Sequence, residues 1–222
     1  MVDDSNIQLI MLFFSQPLTI EYPDGFEVSY GYNSIGQPNE VSIQEPGGVE
    51  QQIIDNVSYS PLGQMSVINY TNGTISTSTF DINQAYRLTQ KETTGTSTLQ
   101  DITYTYDNVG NITRIVNNVT HQLAKTSDFV YDGLYRLTFA TTTDDYLATT
   151  TVSSFAYDII GNIINKSDIG DYEYGNDNPY QASEINSQSY AYDDNGNLTN
   201  DGIRAMLYLT VLTDWPSNTI LK

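Results

Sequence analysis

The sequence predicts an all-β protein of tandem β-hairpins, laid side by side in a curved, open antiparallel sheet. Three observations predict it. A short phrase keeps returning, clearest as Tyr104-Thr105-Tyr106-Asp107-Asn108-Val109-Gly110-Asn111-Ile112-Thr113. Its marker, the aromatic before the acid, steps through Phe80, Tyr106, Tyr131 and Tyr157 at intervals of 26, 25 and 26 residues. Repetition at such a period signals stacked similar units. Finally, no apolar stripe with the helical period of about 3.6 residues persists for three turns.

The copies fall in order along the sequence. Tyr30-Gly31-Tyr32-Asn33-Ser34-Ile35-Gly36-Gln37 keeps the aromatic pair and Gly36 but has Asn for Asp. Val57-Ser58-Tyr59-Ser60-Pro61-Leu62-Gly63-Gln64 keeps Tyr59 and Gly63 with Ser at the acid position. Phe80-Asp81 leads to Arg87-Leu88, an Arg-Leu version of the phrase. Tyr104, Tyr106, Asp107, Gly110 and Asn111 form the clearest copy, and Tyr131, Asp132 and Arg136 repeat the Arg-Leu version. Tyr157, Asp158, Gly161 and Asn162 follow, then a shortened copy around Tyr174, then Tyr190, Tyr192, Asp193, Gly196 and Asn197.

Each copy reads as one hairpin. Tyr104 and Tyr106 lie two apart and so share one face of a strand. Asp107 to Gly110 is turn material, because Asp bonds amides just ahead of it and Gly accepts a positive φ. Ile112-Thr113-Arg114-Ile115-Val116 is the β-branched return strand. The loop exceeds two residues, so a turn followed by a bulge is expected. In the Arg-Leu version Tyr135 or Tyr86 stands near the glycine position, so a different geometry is expected there. The Ser- and Thr-rich segments between markers suit strands with at least one wet face. The 18 tyrosines suggest a core of stacked rings rather than a deep aliphatic centre.

Composition narrows the function. The net charge is −19, from 27 acids and 8 bases, which repels phosphate backbones and argues against nucleic acid. The same charge disfavours anionic membranes, and no run approaches the roughly 20 apolar residues of a membrane span. The most apolar stretch, Ile7 to Phe14, follows Asp3 and Asp4 and reads as a first strand rather than a leader. With no cysteine, disulfides and thiolate metal sites are excluded.

Tyr-Asp-x-x-Gly-Asn-Ile/Leu, alternating with Tyr-Asp-x-x-Tyr-Arg-Leu, resembles the YD repeat of Rhs proteins over residues 18–201. Tyr22-Pro23-Asp24-Gly25-Phe26, leading into Tyr30-Gly31-Tyr32, resembles that family's Pro-Asp-Gly hairpin. The family includes Rhs polymorphic toxins, shell components of insecticidal toxin complexes and teneurins. The resemblance implies a sheet strip that spirals into a hollow shell, of which this protein would supply a part. Neither the family's Asp-Pro-x-Gly core-closing motif nor a toxin domain is present, so a fragment or truncated member is expected.

Catalytic and metal readings find little footing. His121 is the single histidine and has no nucleophile motif beside it. Asp193-Asp194-Asn195-Gly196-Asn197 lacks the ligand spacing of a calcium loop. The repeat aspartates have turn roles, which weakens a paired-carboxylate glycosidase. No cofactor is expected. The domains expected are an N-terminal segment at 1–17, the repeat array at 18–201 and a non-repeat tail at 202–222. The function expected is a non-enzymatic scaffold, secreted or at the cell surface. Its expected partners are further YD repeats of a larger parent chain, or copies of itself met through sheet edges. The alternative is a carbohydrate-binding or adhesion module that uses the repeat tyrosines.

Overall fold

The computed structural model describes residues 8–11, 16–119, 124–175 and 178–203. Among them every regular element is a strand, apart from one short 3-10 turn, η1 (Ile82–Gln84). The strands are β1 (Gln8–Met11), β2 (Pro17–Glu21), β3 (Glu27–Tyr32), β4 (Pro38–Gln44), β5 (Gln51–Tyr59) and β6 (Met65–Tyr70). β7 (Ile75–Asp81), β8 (Arg87–Thr94), β9 (Thr98–Tyr106), β10 (Ile112–Asn117), β11 (Lys125–Tyr131), β12 (Leu137–Asp144) and β13 (Thr149–Tyr157) follow. The last are β14 (Ile163–Lys166), β15 (Gly170–Tyr174), β16 (Ala182–Ile185), β17 (Gln188–Ser189), β18 (Ala191–Tyr192) and β19 (Leu198–Asn200). The all-β expectation holds. Helix could not compete, because β-branched and aromatic residues, Thr, Ile, Val and Tyr, are abundant in the strands.

The contacts define two compact units. One comprises residues 1–129 with 141–151, the other 130–140 with 152–222. In the first, each strand pairs antiparallel with the next in sequence from β1 through β11. In the second, β13 through β17 pair in the same successive way, and β18 pairs with β19. Such a meander puts alternate turns at opposite ends of the strands. Within the first unit, the turns after β3, β5, β7 and β9 share one end, and these are the repeat turns.

Deep burial is rare. Among the described residues only Val57, Ser76 and Asp201 are buried. Most strand residues are half-exposed, as in β3 and β8, so stability must come from ladders and side-chain ties more than from a closed core.

The expected stacking of tyrosine rings is not found. The one ring–ring contact recorded among the described residues joins Tyr22 and Phe26, with centroids 6.3 Å apart. Spacing explains this. The markers Tyr32, Tyr59, Phe80 and Tyr106 sit on alternate strands, so equivalent rings are about 10 Å apart, twice the strand separation. A strand of the preceding return always lies between them.

Candidate interaction site: the repeat turns

The Asp107 turn shows what the phrase encodes. Its side-chain Oδ1 accepts from the amides of Val109, Gly110 and Asn111 at 3.1, 2.7 and 2.8 Å. Its Oδ2 accepts from the Asn111 side chain at 2.8 Å. The Gly110 amide donates to the Asp107 carbonyl at 3.2 Å and the Asp107 amide to the Asn111 carbonyl at 2.9 Å. One carboxylate thus gathers the whole loop, which is why a short acid and an amide four residues later recur together. Asp158 with Asn162 and Asp193 with Asn197 build the same arrangement. These carboxyl groups sit below the ordinary carboxylate range. For Asp107 and Asp158 partial desolvation pushes the other way, and the combined hydrogen bonds outweigh it. For Asp193 the Asn197 side chain is the leading cause.

The degenerate copies preserve the device. Asn33 Oδ1 accepts from the amides of Ile35 and Gln37 at 3.1 and 2.9 Å. Ser60 Oγ accepts from Leu62 and Gln64 at 3.3 and 3.2 Å. Any short side chain that offers an acceptor at this position suffices.

The Arg-Leu copies correct one expectation. Around Asp132 the geometry is the same as in the glycine copies. Tyr135 adopts φ 63° and takes the left-handed place, and its amide donates to the Asp132 carbonyl at 3.0 Å. Asp132 Oδ2 then holds Arg136 Nε at 2.7 Å in place of an asparagine amide, so charge-assisted bonding offsets the unfavourable backbone of Tyr135. The Asp81 copy does differ, because two further residues separate its acid from Arg87. Its carboxylate caps η1 through the Asn83 amide at 2.8 Å, and Ala85 and Tyr86 both adopt φ 55°.

A bulge accompanies the marker aromatic. The register slips between Ile112 and Arg114 opposite Tyr106, leaving Thr113 extra. The same slip occurs at Tyr32, Tyr59, Phe80, Tyr157, Tyr174 and Tyr192. The extra residue is Thr89 after Phe80 and Thr113 after Tyr106. The hydroxyls of Thr89, Thr113 and Thr138 donate to the carbonyls of Thr79, Thr105 and Val130 at 3.2, 3.2 and 3.1 Å. These threonines escaped the sequence reading, although Asn-Ile-Thr and Arg-Leu-Thr were visible.

Neighbouring hairpins are joined by two sets of ties. The second tyrosine of the phrase reaches back to the first residues of the adjoining strand. Tyr106 Oη donates to the Leu88 carbonyl at 2.7 Å, Tyr157 to Leu137 at 2.7 Å and Tyr174 to Ile163 at 2.9 Å. Tyr32 reaches Pro17 at 2.6 Å and Tyr59 reaches Pro38. Partial desolvation raises the phenols of Tyr32, Tyr59, Tyr106, Tyr174 and Tyr192 above their ordinary range. The second set points forward, from the end of one repeat turn to the backbone of the next. Gln64 Nε2 donates to Tyr86 at 3.2 Å, Arg87 Nη1 to Asp107 at 3.1 Å, Arg136 Nη1 to Asp158 at 3.1 Å and Asn162 Nδ2 to Pro179 at 2.6 Å. The guanidinium carbons of Arg87 and Arg136 lie 5.6 and 4.6 Å from the ring centroids of Tyr106 and Tyr157. Gly110 meets both demands of its place: φ is 106°, and an added Cβ would stand 2.8 Å from Arg87 Nη2.

Several of these turns carry an exposed apolar residue at one position. Ile35, Leu62 and Val109 are 77%, 63% and 59% exposed, each at the third position of its turn. Leu134 takes that position in the Asp132 turn and is 69% exposed. Turn chemistry does not require an aliphatic side chain there.

Many of the repeat residues named from sequence thus meet in turns and ties, among them Asp107 with Asn111, Asp132 with Arg136, and Tyr106 with the Leu88 carbonyl. Among the described residues no group of three or more His, Asp or Glu side chains converges as a metal site. His121 and the tail beyond 203 lie outside the described residues.

No family model matches the chain. Two toxin subunits of Yersinia entomophaga are similar to it in sequence. Toxin subunit YenC1 is 32% identical over 108 residues, covering 42% of this chain and 11% of that protein. Toxin subunit YenC2 is 29% identical over 130 residues, covering 52% and 13%. Among solved structures, the TcdB2-TccC3-Cdc42 complex matches with a TM-score of 0.69 at 21% identity, over 87% of this chain and 12% of that one. The Photorhabdus luminescens Tc holotoxin pore matches with a TM-score of 0.70 at 21% identity, over 89% and 12%. The chain therefore spans about a tenth of the length of these relatives. The resemblance read from the Tyr-Asp phrase holds: the sequence is similar to toxin subunits, and the fold is shared with solved Tc toxin structures.

Proposed function

We propose that this protein is a non-enzymatic scaffold, a stretch of YD-repeat sheet that serves in a larger shell-like toxin assembly or surface protein. The observation that carries the reading is the double set of ties between successive hairpins. Tyr106 to Leu88 and Arg87 to Asp107 commit the repeat residues to holding neighbours in place. The likeness to toxin subunits supports the same role, with secretion or surface display as the location.

Further repeats are the proposed partners, supplied by a parent chain or a second copy. The exposed Ile35, Leu62 and Val109 offer them apolar contact at the turns. The array at 18–201 is the proposed working part, flanked by a segment at 1–17 and a tail at 202–222. For carbohydrate, no specific observation favours the tyrosine rows, since the hydroxyls of Tyr32, Tyr59, Tyr106, Tyr157 and Tyr174 already bond strand carbonyls.

Two measurements test the proposal. Sedimentation velocity is expected to show association in molar salt, where repulsion from the net charge of −19 is screened. A clean monomer there would remove the partner half of the proposal. A glycan array probed with the purified protein is expected to show no saturable binding, and saturable binding would replace the scaffold by a lectin-like module.

A further inference from the structure

We propose that Arg87 and the recess beside it form a binding site for a carboxylate supplied by another protein segment. This goes beyond the scaffold role and does not depend on it. The argument is a comparison between two arginines in the same position of the repeat.

Arg136 has three partners. Its Nη1 donates to the carbonyl of the next turn at 3.1 Å, its guanidinium lies over Tyr157, and its Nε donates to Asp132 Oδ2 at 2.7 Å. Arg87 shares the first two features, with Nη1 donating to the Asp107 carbonyl at 3.1 Å and the guanidinium over Tyr106. It lacks the third. Among the described residues no carboxylate lies within ion-pair distance of Arg87, and Nη1 supplies the hydrogen bond it makes.

The missing partner has a structural cause. Asp81 stands opposite Arg87 in the β7–β8 register. The longer turn takes its carboxylate away to cap η1, through the Asn83 amide at 2.8 Å. That turn holds two consecutive non-glycine residues, Ala85 and Tyr86, at φ 55°. Left-handed backbone is unfavourable for an L-residue, so the surroundings of this turn must hold it in place. The insertion also leaves a recess of about 450 Å³, lined by Asn83, Gln84, Ala85, Arg87, Tyr106 and Asn108 along with Asp107. The Asp107 carboxylate is turned inward onto its own loop amides, so it does not fill the place. What the site lacks is the group Asp132 supplies to Arg136. An incoming Asp or Glu side group, or a C-terminal carboxylate, would restore it, with Asn83, Gln84 and Asn108 able to bond its second oxygen or adjoining amide.

The test is an NMR titration of the full-length protein, following the arginine Nε–H resonances. The probes are N-acetyl-aspartate amide for an aspartate-type carboxylate and N-acetylglycine for a terminal one, with sodium chloride at matched ionic strength. The expected result is a saturable shift at Arg87, at millimolar probe, with Arg136 unmoved and chloride ineffective. A response to one probe alone assigns the source of the carboxylate, and a response to both assigns any carboxylate. Arg87→Gln, followed at the side-chain amides of Asn83, Gln84 and Asn108 that line the recess, should weaken binding at least tenfold while the Arg136 resonance reports the intact fold. Should that variant not fold, the wild-type titration decides alone. No shift, a parallel shift at every arginine, or a shift that emerges only in Asp81→Asn would overturn the proposal, the last by showing that Asp81 already fills the place.

Discussion

Arg136 and Tyr157 belong to successive repeats yet form one contact, with the guanidinium carbon 4.6 Å from the ring centroid. The same arginine bonds Asp132 within its own turn and the Asp158 carbonyl in the next. A planar fork can serve all three at once, which an ammonium cannot. Arg136→Lys should therefore destabilise nearly as much as Arg136→Gln, with the ring contact alone contributing about 0.5–1 kcal/mol. Thermal unfolding of the two variants checks this, and a lysine variant as stable as the parent would show that charge alone matters.

The tyrosine ties give a sharper contrast. Tyr106 Oη is bonded to Leu88, whereas Tyr104, two residues earlier on the same strand, has no such bond among the described residues. Tyr106→Phe should cost about 0.5–1.5 kcal/mol, the net worth of one hydrogen bond. Tyr104→Phe should cost little. Denaturant midpoints at an unchanged slope would measure the difference, and equal losses would mean the rings act only through their apolar area.

How far the fold could be read ahead depended on sequence distance. The Asp107 turn was legible because donor, acceptor and glycine lie within five residues, and the bulge followed from loop length. The ties were not. Arg87 finds the Asp107 carbonyl 20 residues on, and Tyr106 finds Leu88 18 residues back. Those partners are backbone carbonyls, which leave no residue signature. Ser60 and Asn33 looked like decay of the motif, yet each keeps the acceptor that the turn needs. Ring stacking was expected from tyrosine content, and failed because alternate strands place equivalent rings too far apart.

The acid and alkaline limbs of stability should have different origins. The carboxyls of Asp107, Asp132, Asp158 and Asp193 titrate below the ordinary value of 3.8, held there by turn hydrogen bonds against partial desolvation. A group depressed in the folded state adds stability above its unfolded pKa and loses it as pH falls through the folded one. Loss should begin below about pH 4. The phenols of Tyr106 and Tyr174 are raised above 10.0, chiefly by desolvation. Their contribution is complete below pH 10 and fades as pH rises through the folded value. Unfolding temperature against pH should show both shoulders. In Asp107→Asn, which keeps one acceptor oxygen as Asn33 does, the acid limb should be shallower. An unchanged acid limb would place the titrating groups elsewhere.

The backbone of Tyr135 separates the demands of conformation from those of packing. It sits at φ 63° in the place glycine takes at Gly110, and the residue is 60% exposed. Tyr135→Gly should therefore raise stability, by up to about 1 kcal/mol once the greater freedom of the unfolded state is counted. Gly110→Ala should do the reverse and do it more strongly. It adds left-handed strain and also drives a Cβ to 2.8 Å from Arg87 Nη2, so the tie to the Asp107 carbonyl must shift. Gly133→Ala is the control: an added Cβ there meets nothing within 4 Å. Unfolding midpoints should rank Tyr135→Gly above the parent and Gly110→Ala below Gly133→Ala. If Gly110→Ala cost no more than Gly133→Ala, the turn would tolerate a side chain under the arginine, and the forward tie would not be a constraint on the repeat.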